Sequence, residues 1–216
     1  MTDLDALAPR HAHFATALQE RRSAFLGLWL FLASEVMMFG GLFMGIIVYR
    51  VTETEAMRTA SRHLDMLIGG GNTAVLLTSS MTMALAVIAA RSGNRDRSLR
   101  FLAATAGLGL AFLGIKAYEY LSEFHEGLMP QIGPAFPLEP QSTELFFNFY
   151  FVATGLHALH LSIGIGVVTA LAIRVAAGRV PLPGRRVQVE CTGLYWHFVD
   201  IVWVFLYPVL YLAGRS

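Results

Sequence analysis

The chain has 216 residues, of which 55% are apolar and only 14% are charged. Its mean hydropathy is +0.55 and its net charge is +1. This balance excludes an ordinary soluble domain, offers no basic surface for nucleic acid, and is typical of a protein that crosses a membrane several times. Cys191 is the only cysteine, which excludes an intrachain disulfide and any metal site with two thiolates from this chain.

Five apolar stretches are long enough to cross a bilayer, because about 20 residues of helix span its hydrocarbon core. They predict an all-α fold, a polytopic membrane helical bundle that forms a single membrane domain over residues 1–216. Residues 1–26 lack an apolar core, so we expect a short cytoplasmic arm and no signal peptide. The five transmembrane helices are expected at about 27–49, 72–90, 101–121, 145–173 and 191–213.

Turn-forming residues separate the spans. The glycines at 69–71 are expected to end a loop, with Asn72 as the N-cap of the second span. Residues 92–95 divide the second span from the third, and the proline-containing run at 181–184 precedes the fifth.

The distribution of arginine predicts the orientation. The segments before the first span, between the second and third, and between the fourth and fifth share one side and hold eleven basic residues, against four on the other side. The positive-inside rule then places the N-terminus in the cytoplasm and the C-terminus outside. In the last of these segments, Arg174, Arg179, Arg185 and Arg186 are candidates for contact with anionic lipid headgroups.

Ionisable residues interrupt the first, third, fourth and fifth spans. Glu35 lies in the first span, His157 and His160 lie three residues apart in the fourth, and His197 and Asp200 lie three apart in the fifth. An ionisable group at this depth costs about 2.5–3.5 kcal/mol on insertion scales, so it normally faces a partner. Similar depths predict a buried polar cluster in which His197 or His160 meets Glu35 and ties the first, fourth and fifth spans together.

Lys116 and Glu119 form a second polar pair, three residues apart in the third span, where they can pair within one helix. Three interpretations of the buried polar groups stay open: hydrogen bonds that only hold helices together, a proton path or lipid-headgroup site, and ligation of a metal or haem. The first is the commonest role of such groups. The chain also lacks the repeated Glu-x-x-His element of iron-binding bundles, so no metal site is predicted.

Four stretches of the chain, within residues 24–212, are similar to one known family. The chain resembles subunit III of the haem-copper respiratory oxidases, that is, cytochrome c oxidase and quinol oxidase subunit 3, in its five-helix form. The stretches that carry the resemblance are LFLASEVMMF at 30–39, FLGIKAYEY at 112–120, FVATGLHALH at 151–160 and YWHFVDIVWVFL at 195–206.

The resemblance implies a subunit without redox centres that stabilises a catalytic subunit, holds structural phospholipid and supports proton uptake in aerobic respiration. It implies that Glu35 is the membrane-buried carboxylate of the family. Haem and copper are then expected in the partners, catalytic subunit I and subunit II, and not in this chain. The family and the preponderance of arginine over lysine together suggest the plasma membrane of a bacterium.

Other functions remain open at this stage. The run at 115–120 is also similar to an accessory protein of some nitric oxide reductases. A small membrane cytochrome of the b type would use His157, His160 or His197 as axial ligands. A transporter is disfavoured because five spans do not divide into two matching repeats.

Overall fold

The structure, a computed structural model, describes residues 17–130, 137–138 and 142–212. Six α-helices, and no strand, occur within these ranges. All except the second are long and apolar enough to cross a membrane, which confirms the predicted all-α bundle with five spans. The helices are α1 (Ala17–Thr52), α2 (Thr54–His63), α3 (Met66–Arg91), α4 (Arg95–His125), α5 (Thr143–Ala176) and α6 (Arg186–Tyr211).

Four of the five long helices extend beyond both ends of their predicted apolar spans, and α6 begins earlier but ends two residues sooner. The two longest, α1 and α5, have 36 and 34 residues. At about 1.5 Å per residue each is roughly 50 Å long, which exceeds the hydrocarbon thickness of about 30 Å. The helices therefore continue into the interfacial layers, because hydropathy marks the apolar window and not the ends of the hydrogen-bonded helix. Residues 1–16 of the predicted arm lie outside the described residues.

The start of α3 differs from the prediction, and the expected cap at Asn72 is wrong. Asp65 is the N-cap, and its Oδ1 accepts hydrogen bonds from two backbone N–H groups of the first turn at 2.8 and 3.2 Å. The glycine triplet therefore lies inside the helix, where a Cβ on Gly69 would come within 2.9 Å of the Tyr211 ring. Asn72 is instead buried and donates to the Phe112 carbonyl at 3.4 Å.

The short helix α2 was not predicted, because its sequence is polar and hydropathy alone does not detect it. Ala56, Met57 and Ala60 form its buried face, which packs mainly against α5. Glu55 and Arg58 are exposed and pair at 3.4 Å. The helix is amphipathic and lies between the first two spans.

The centre of the bundle lies where α3, α4, α5 and α6 meet around Trp196. This α6 side chain is fully buried, and its indole N–H donates to Ser79 Oγ of α3 at 3.0 Å. A Cβ added to Gly109 of α4 would lie 2.8 Å from the indole, and one added to Gly164 of α5 would lie 3.3 Å away. The two glycines therefore let α4 and α5 close on the indole from different sides.

The first helix lies at the edge of the bundle. It contacts α6, α5 and α2, whereas no Cα atom of α1 lies within 8 Å of one in α3 or α4 among the described residues. Much of its surface is exposed and apolar, as at Met37, Met44 and Val51.

The bundle has two chemically different ends. Because successive spans reverse direction, the start of α1, the α3–α4 turn and the α5–α6 connection lie at one end, which we call the arginine-rich end. The helix α2, the α4–α5 connection and the end of α6 lie at the opposite end.

Candidate functional site

Glu35 of α1 and His160 of α5 form a polar pair inside the bundle. Glu35 Oε2 lies 3.0 Å from His160 Nε2, and both side chains are largely buried. His160 Nδ1 lies 2.8 Å from the Leu156 carbonyl oxygen. A carbonyl oxygen only accepts hydrogen bonds, so the hydrogen of the Nδ1 contact belongs to His160. The contact between His160 Nε2 and Glu35 Oε2 therefore needs a second hydrogen, held by one of these two atoms. With that proton the pair is neutral overall, whichever atom holds it.

Lys116 and Glu119 of α4 belong to a larger group near the opposite end. We call it the lysine cluster: Lys116, Glu119, Glu123, Tyr150 and Tyr211, all buried. Lys116 Nζ donates to Glu119 Oε2 at 2.9 Å, to Tyr150 OH at 2.7 Å and to Tyr211 OH at 2.8 Å. An ammonium has three protons, so every donor of Lys116 is used.

The directions of the hydrogen bonds follow from that arrangement. Each tyrosine oxygen accepts a hydrogen bond from Lys116, so its own hydroxyl group is free to donate to another acceptor. Tyr211 donates to Glu119 Oε1 and Tyr150 donates to Glu123 Oε1, both at 2.6 Å. The rings that lie 4.5 to 5.4 Å from Nζ are Tyr120, Tyr150, Trp203 and Tyr211. One cation therefore joins α4, α5 and α6 through hydrogen bonds and ring contacts.

The sequence analysis found only part of the lysine cluster. Glu123 was missed although it lies four residues after Glu119, on the face of α4 that carries Lys116. Tyr150 and Tyr211 come from other helices, and tyrosines near span ends are ordinarily interfacial anchors. No spacing within one helix could have identified them as partners of Lys116.

His197 and Asp200 of α6 face α3 and do not reach Glu35. His197 Nδ1 lies 2.7 Å from Ser80 Oγ. Asp200 is buried, and neither carboxyl oxygen has a hydrogen-bond partner within 3.5 Å in the described part of the chain. Of the two histidines considered as partners of Glu35, the structure selects His160, and the residues expected in one cluster lie in separate parts of the bundle.

His157 occupies a third environment. It is fully buried between the rings of Phe112 and Trp203, with ring centroids 5.6 and 5.1 Å from its own. Neither ring nitrogen has a hydrogen-bond partner among the described residues. His157 is therefore turned towards α4 and α6 and does not join the Glu35–His160 pair.

A charged cluster that the sequence analysis did not identify lies at the arginine-rich end. Glu190 of α6 is buried, and Arg91 Nε lies 2.7 Å from its Oε1. Arg21 Nη2 lies 3.6 Å from Oε2, and Arg186 Nε lies 3.9 Å from Oε1. We call these four residues the Glu190 cluster. The available signal was that Glu190 is the only acidic residue between 145 and 199 and lies four residues after Arg186.

The arginines proposed to contact lipid occupy different surroundings. Arg174 and Arg179 are exposed, whereas Arg185 and Arg186 are half-buried. Of these four arginines, Arg186 is a member of the Glu190 cluster. Among the described residues, no three His, Cys, Asp or Glu side chains converge as metal ligands.

Comparison with known proteins identifies the family. The model of the family described as cytochrome c oxidase subunit III matches residues 8–215, nearly the whole chain. The chain belongs to the cytochrome c oxidase subunit III family. The resemblance inferred from the four sequence stretches is thereby confirmed, as is the role of an oxidase subunit III.

Relatives within the subunit III family come from oxidases named for different donors. Cytochrome c oxidase subunit 3 of Alkalihalophilus pseudofirmus is 32% identical over 210 residues, covering 95% of this chain and 93% of that protein. Probable quinol oxidase subunit 3 of Staphylococcus haemolyticus is 30% identical, covering 88% of each chain. Cytochrome bo(3) ubiquinol oxidase subunit 3 of Pseudomonas aeruginosa is 29% identical, covering 87% and 84%. A subunit III associates with other oxidase subunits, in keeping with the five apolar spans.

Two of the stretches that identify the subunit III family meet in the structure. Glu35 lies in the 30–39 stretch and His160 lies in the 151–160 stretch. Their contact joins the peripheral helix α1 to α5. The family pattern thus coincides with a contact that holds the bundle together.

Proposed function

We propose that this chain is a non-redox subunit III that stabilises the catalytic haem-copper subunit of a terminal oxidase in a bacterial plasma membrane. The observation that carries the proposal is that its acid–base contacts join its own helices: Glu35–His160 and Lys116 with Tyr150 and Tyr211 inside the bundle, and Arg91 with the buried Glu190 at one end. Such contacts make a rigid apolar body suited to packing beside another membrane subunit. Haem and copper belong, in this proposal, to subunits I and II.

The proposal includes an orientation. The arginine-rich end faces the cytoplasm, because basic loops are retained on that side during insertion. The same end holds the exposed Arg174 and Arg179, which suit contact with anionic headgroups. The Glu35–His160 pair, which contains one proton between two side chains, supports a contribution to proton uptake.

The partner can be identified by purifying the tagged full-length chain from its native membrane in mild detergent. We expect a haem-copper catalytic subunit in the sample and a reduced-minus-oxidised haem spectrum. The haem signal should leave with the partner when the chain is stripped from it. Haem that stays with the isolated chain would overturn the proposal in favour of a cytochrome. A nitric oxide reductase as the partner would overturn it in favour of an accessory protein of that enzyme.

The stabilising role can be tested by comparing oxidase that contains the chain with oxidase purified from a strain that lacks it. We expect equal initial rates and faster loss of activity during turnover without the chain. Supplying the full-length chain on a plasmid is the control and should restore the lifetime. An unchanged lifetime without the chain would contradict the stabilising role.

A further inference from the structure

Asp200 of α6 is a buried carboxyl group that the contacts between helices leave without a partner. Its side chain is 3% exposed, and both oxygens lack a hydrogen bond within 3.5 Å to any described residue. An ionised carboxylate without a partner is very costly at such a position, whereas a protonated carboxyl group carries no charge. The neutral, protonated form of Asp200 therefore fits this position.

Ser80 of α3 and His197 of α6 connect Asp200 to a crevice. The Ser80 hydroxyl group faces the Asp200 carboxyl group, and its Oγ lies 2.7 Å from His197 Nδ1. His197 lines the crevice. Because Nδ1 contacts Ser80, Nε2 is the ring nitrogen that is available to the crevice. An imidazole and a hydroxyl group can each both accept and donate, so the three side chains form a chain along which a proton can pass.

The crevice leads from His197 towards the arginine-rich end, where Arg91 and Glu190 line it. Glu190 and His197 are seven residues apart, so they share a face of α6 and lie about 10 Å apart along its axis. About three hydrogen-bonded waters span that distance. The crevice volume of about 290 Å³ equals that of about ten waters, and polar groups at both ends supply the hydrogen bonds that confined water needs.

The ionisable groups that other helices present to α6 have surroundings of their own. They are Arg21 and Glu35 of α1, Arg91 of α3, Lys116 and Glu119 of α4, and His157 and His160 of α5. None of them forms an ion pair with Asp200 in the part of the chain that the structure describes. The charged residues of α2 lie at the end of the bundle away from the crevice. The protonation of Asp200 therefore depends on Ser80, His197 and water and not on a fixed counter-charge.

We propose that Asp200 is a proton-binding site that exchanges its proton with water in the crevice through His197 and Ser80. A hydronium ion gives a proton to His197 Nε2, the Nδ1 proton passes to Ser80 Oγ, and the Ser80 hydroxyl proton passes to a carboxylate oxygen of Asp200. The net change is one proton moved from water to the carboxylate, because His197 and Ser80 each gain and lose one.

The Asp200 site is separate from the Glu35–His160 pair. It deepens the proton-uptake part of the proposed function, and it rests on that function only for the side of the membrane that supplies the proton. The crevice meets the arginine-rich end, so the proton enters from whichever side that end faces.

Infrared spectroscopy of the purified full-length chain in detergent tests the site. The carbonyl stretch of a protonated carboxyl group is separate from the bands of a carboxylate, and it shifts when deuterium replaces the proton. Asp200→Asn identifies the band of Asp200, and Glu35→Gln is the control that removes a different buried carboxyl group. The rate of the shift after transfer into deuterium oxide then measures exchange at Asp200.

Two variants interrupt the route at different points. His197→Phe removes the imidazole and has His157→Phe as its control, a buried histidine outside the route. Ala84→Phe fills the crevice and has Ala74→Phe as its control, an exposed alanine on the same helix. The two test variants lie on different helices, so misfolding of one leaves the other informative.

In wild type at neutral pH we expect a protonated-carboxyl band that Asp200→Asn removes and Glu35→Gln retains. His197→Phe should slow the deuterium shift of this band about a hundredfold, at the lower end of what a positioned proton-transfer group contributes. Ala84→Phe should also slow it, because the added ring displaces water from the crevice. The two matched controls should exchange at the wild-type rate.

Three results would overturn the proton site. An unchanged protonated-carboxyl region in Asp200→Asn would show that the carboxyl group is ionised. Exchange at the wild-type rate in His197→Phe, or equal exchange in Ala84→Phe and Ala74→Phe, would show that the proton takes another route. None of these measurements involves a catalytic subunit, so a failure here is distinguishable from a failure of the proposed function.

Discussion

At the scale of single residues, Lys116 is the group whose burial most needs explaining. Burying an ammonium group inside a membrane span has a large desolvation free energy. Hydrogen bonds offset it here, because all three protons of Lys116 reach acceptors within 2.9 Å. The arrangement also makes the cluster fragile. Removing the lysine leaves Glu119 and Glu123 buried without their cation. This destabilises the fold more than removing the lysine together with one of the carboxylates.

The first prediction concerns Lys116→Met. We expect it to lower the free energy of unfolding by about 3–5 kcal/mol, the usual effect of leaving one member of a buried ion pair. Lys116→Met with Glu119→Gln should recover more than half of that loss, because the amide oxygen still accepts from Tyr211. The measurement is denaturation by SDS titration, followed by circular dichroism.

The matched control for the lysine prediction is Glu119→Gln alone. It keeps the acceptor for Tyr211 but leaves the cation with fewer negative neighbours, so it should also destabilise the protein. The three variants form a double-mutant cycle. Additive effects of the two substitutions would mean that Lys116 and Glu119 do not act as a pair.

The second prediction concerns Glu35. Glu35→Gln retains an N–H donor that can reach His160 Nε2, because the Nδ1 proton of the ring is engaged by the Leu156 carbonyl. We therefore expect stability close to wild type. Glu35→Ala removes the contact and should cost about 0.6–2 kcal/mol, the range of interhelical hydrogen bonds in membranes. SDS titration distinguishes the two, and equal losses would mean that the carboxylate charge is what holds α1.

These residues illustrate what sequence can and cannot determine. The Lys116–Glu119 pair follows from spacing, since residues three apart share a helix face. Spacing does not determine whether His160 or His197 is the partner of Glu35. The two histidines have similar depths in the membrane, and which of them faces α1 depends on how α5 and α6 are rotated about their axes. Rotation is determined by packing, here by Trp196 between Gly109 and Gly164, and the sequence does not state it.

At the scale of helices, α1 depends on polar contacts at three depths. Arg21 approaches Glu190 at the arginine-rich end, Glu35 meets His160 within the bundle, and Tyr49 donates to the Ser142 carbonyl at 2.9 Å near the other end. The remaining spans also share polar contacts, such as those of the lysine cluster, but they pack closely through small residues as well, as at Gly109 and Gly164. The apolar spans were predictable because the length of an apolar stretch can be read directly from the sequence. The helix α2 and the Asp65 cap were not, because they depend on polar residues whose contacts are visible only in the folded structure.

The third prediction tests close packing between α4 and α6. A Cβ on Gly109 would lie 2.8 Å from the Trp196 ring and 3.0 Å from Ile165, so Gly109→Ala should destabilise the bundle by about 1–3 kcal/mol. Gly107→Ala is the control on the same helix, since nothing lies within 4 Å of its added Cβ. It should be neutral or slightly stabilising, because alanine favours helix over glycine.

Thermal unfolding in detergent measures the glycine prediction. We expect a lower midpoint for Gly109→Ala and an unchanged or higher one for Gly107→Ala. If both variants melted at the wild-type temperature, α4 and α6 would be more loosely packed than the 2.8 Å approach implies.

At the scale of the whole molecule, charge is distributed unevenly between the two ends. Eleven of the sixteen basic residues lie in segments of the arginine-rich end. The Glu190 cluster belongs to the same end and draws its arginines from α1, α3 and α6. The charges that would direct insertion therefore also join three helices of the folded bundle, so orientation and assembly depend on one set of residues.

The last prediction tests that orientation with two reporter fusions. Green fluorescent protein inserted in the α3–α4 turn after Gly93 should fluoresce, because basic loops stay in the cytoplasm, where this reporter folds. The same protein fused after Ser216 should remain dark, and alkaline phosphatase at the same two positions should give the opposite pattern. A bright C-terminal fusion would invert the topology, and would place the Glu190 cluster in the outer leaflet. Arg174 and Arg179 would then face a leaflet without the negative surface potential of the cytoplasmic side, so the fusions also test the proposed contact of these arginines with anionic headgroups.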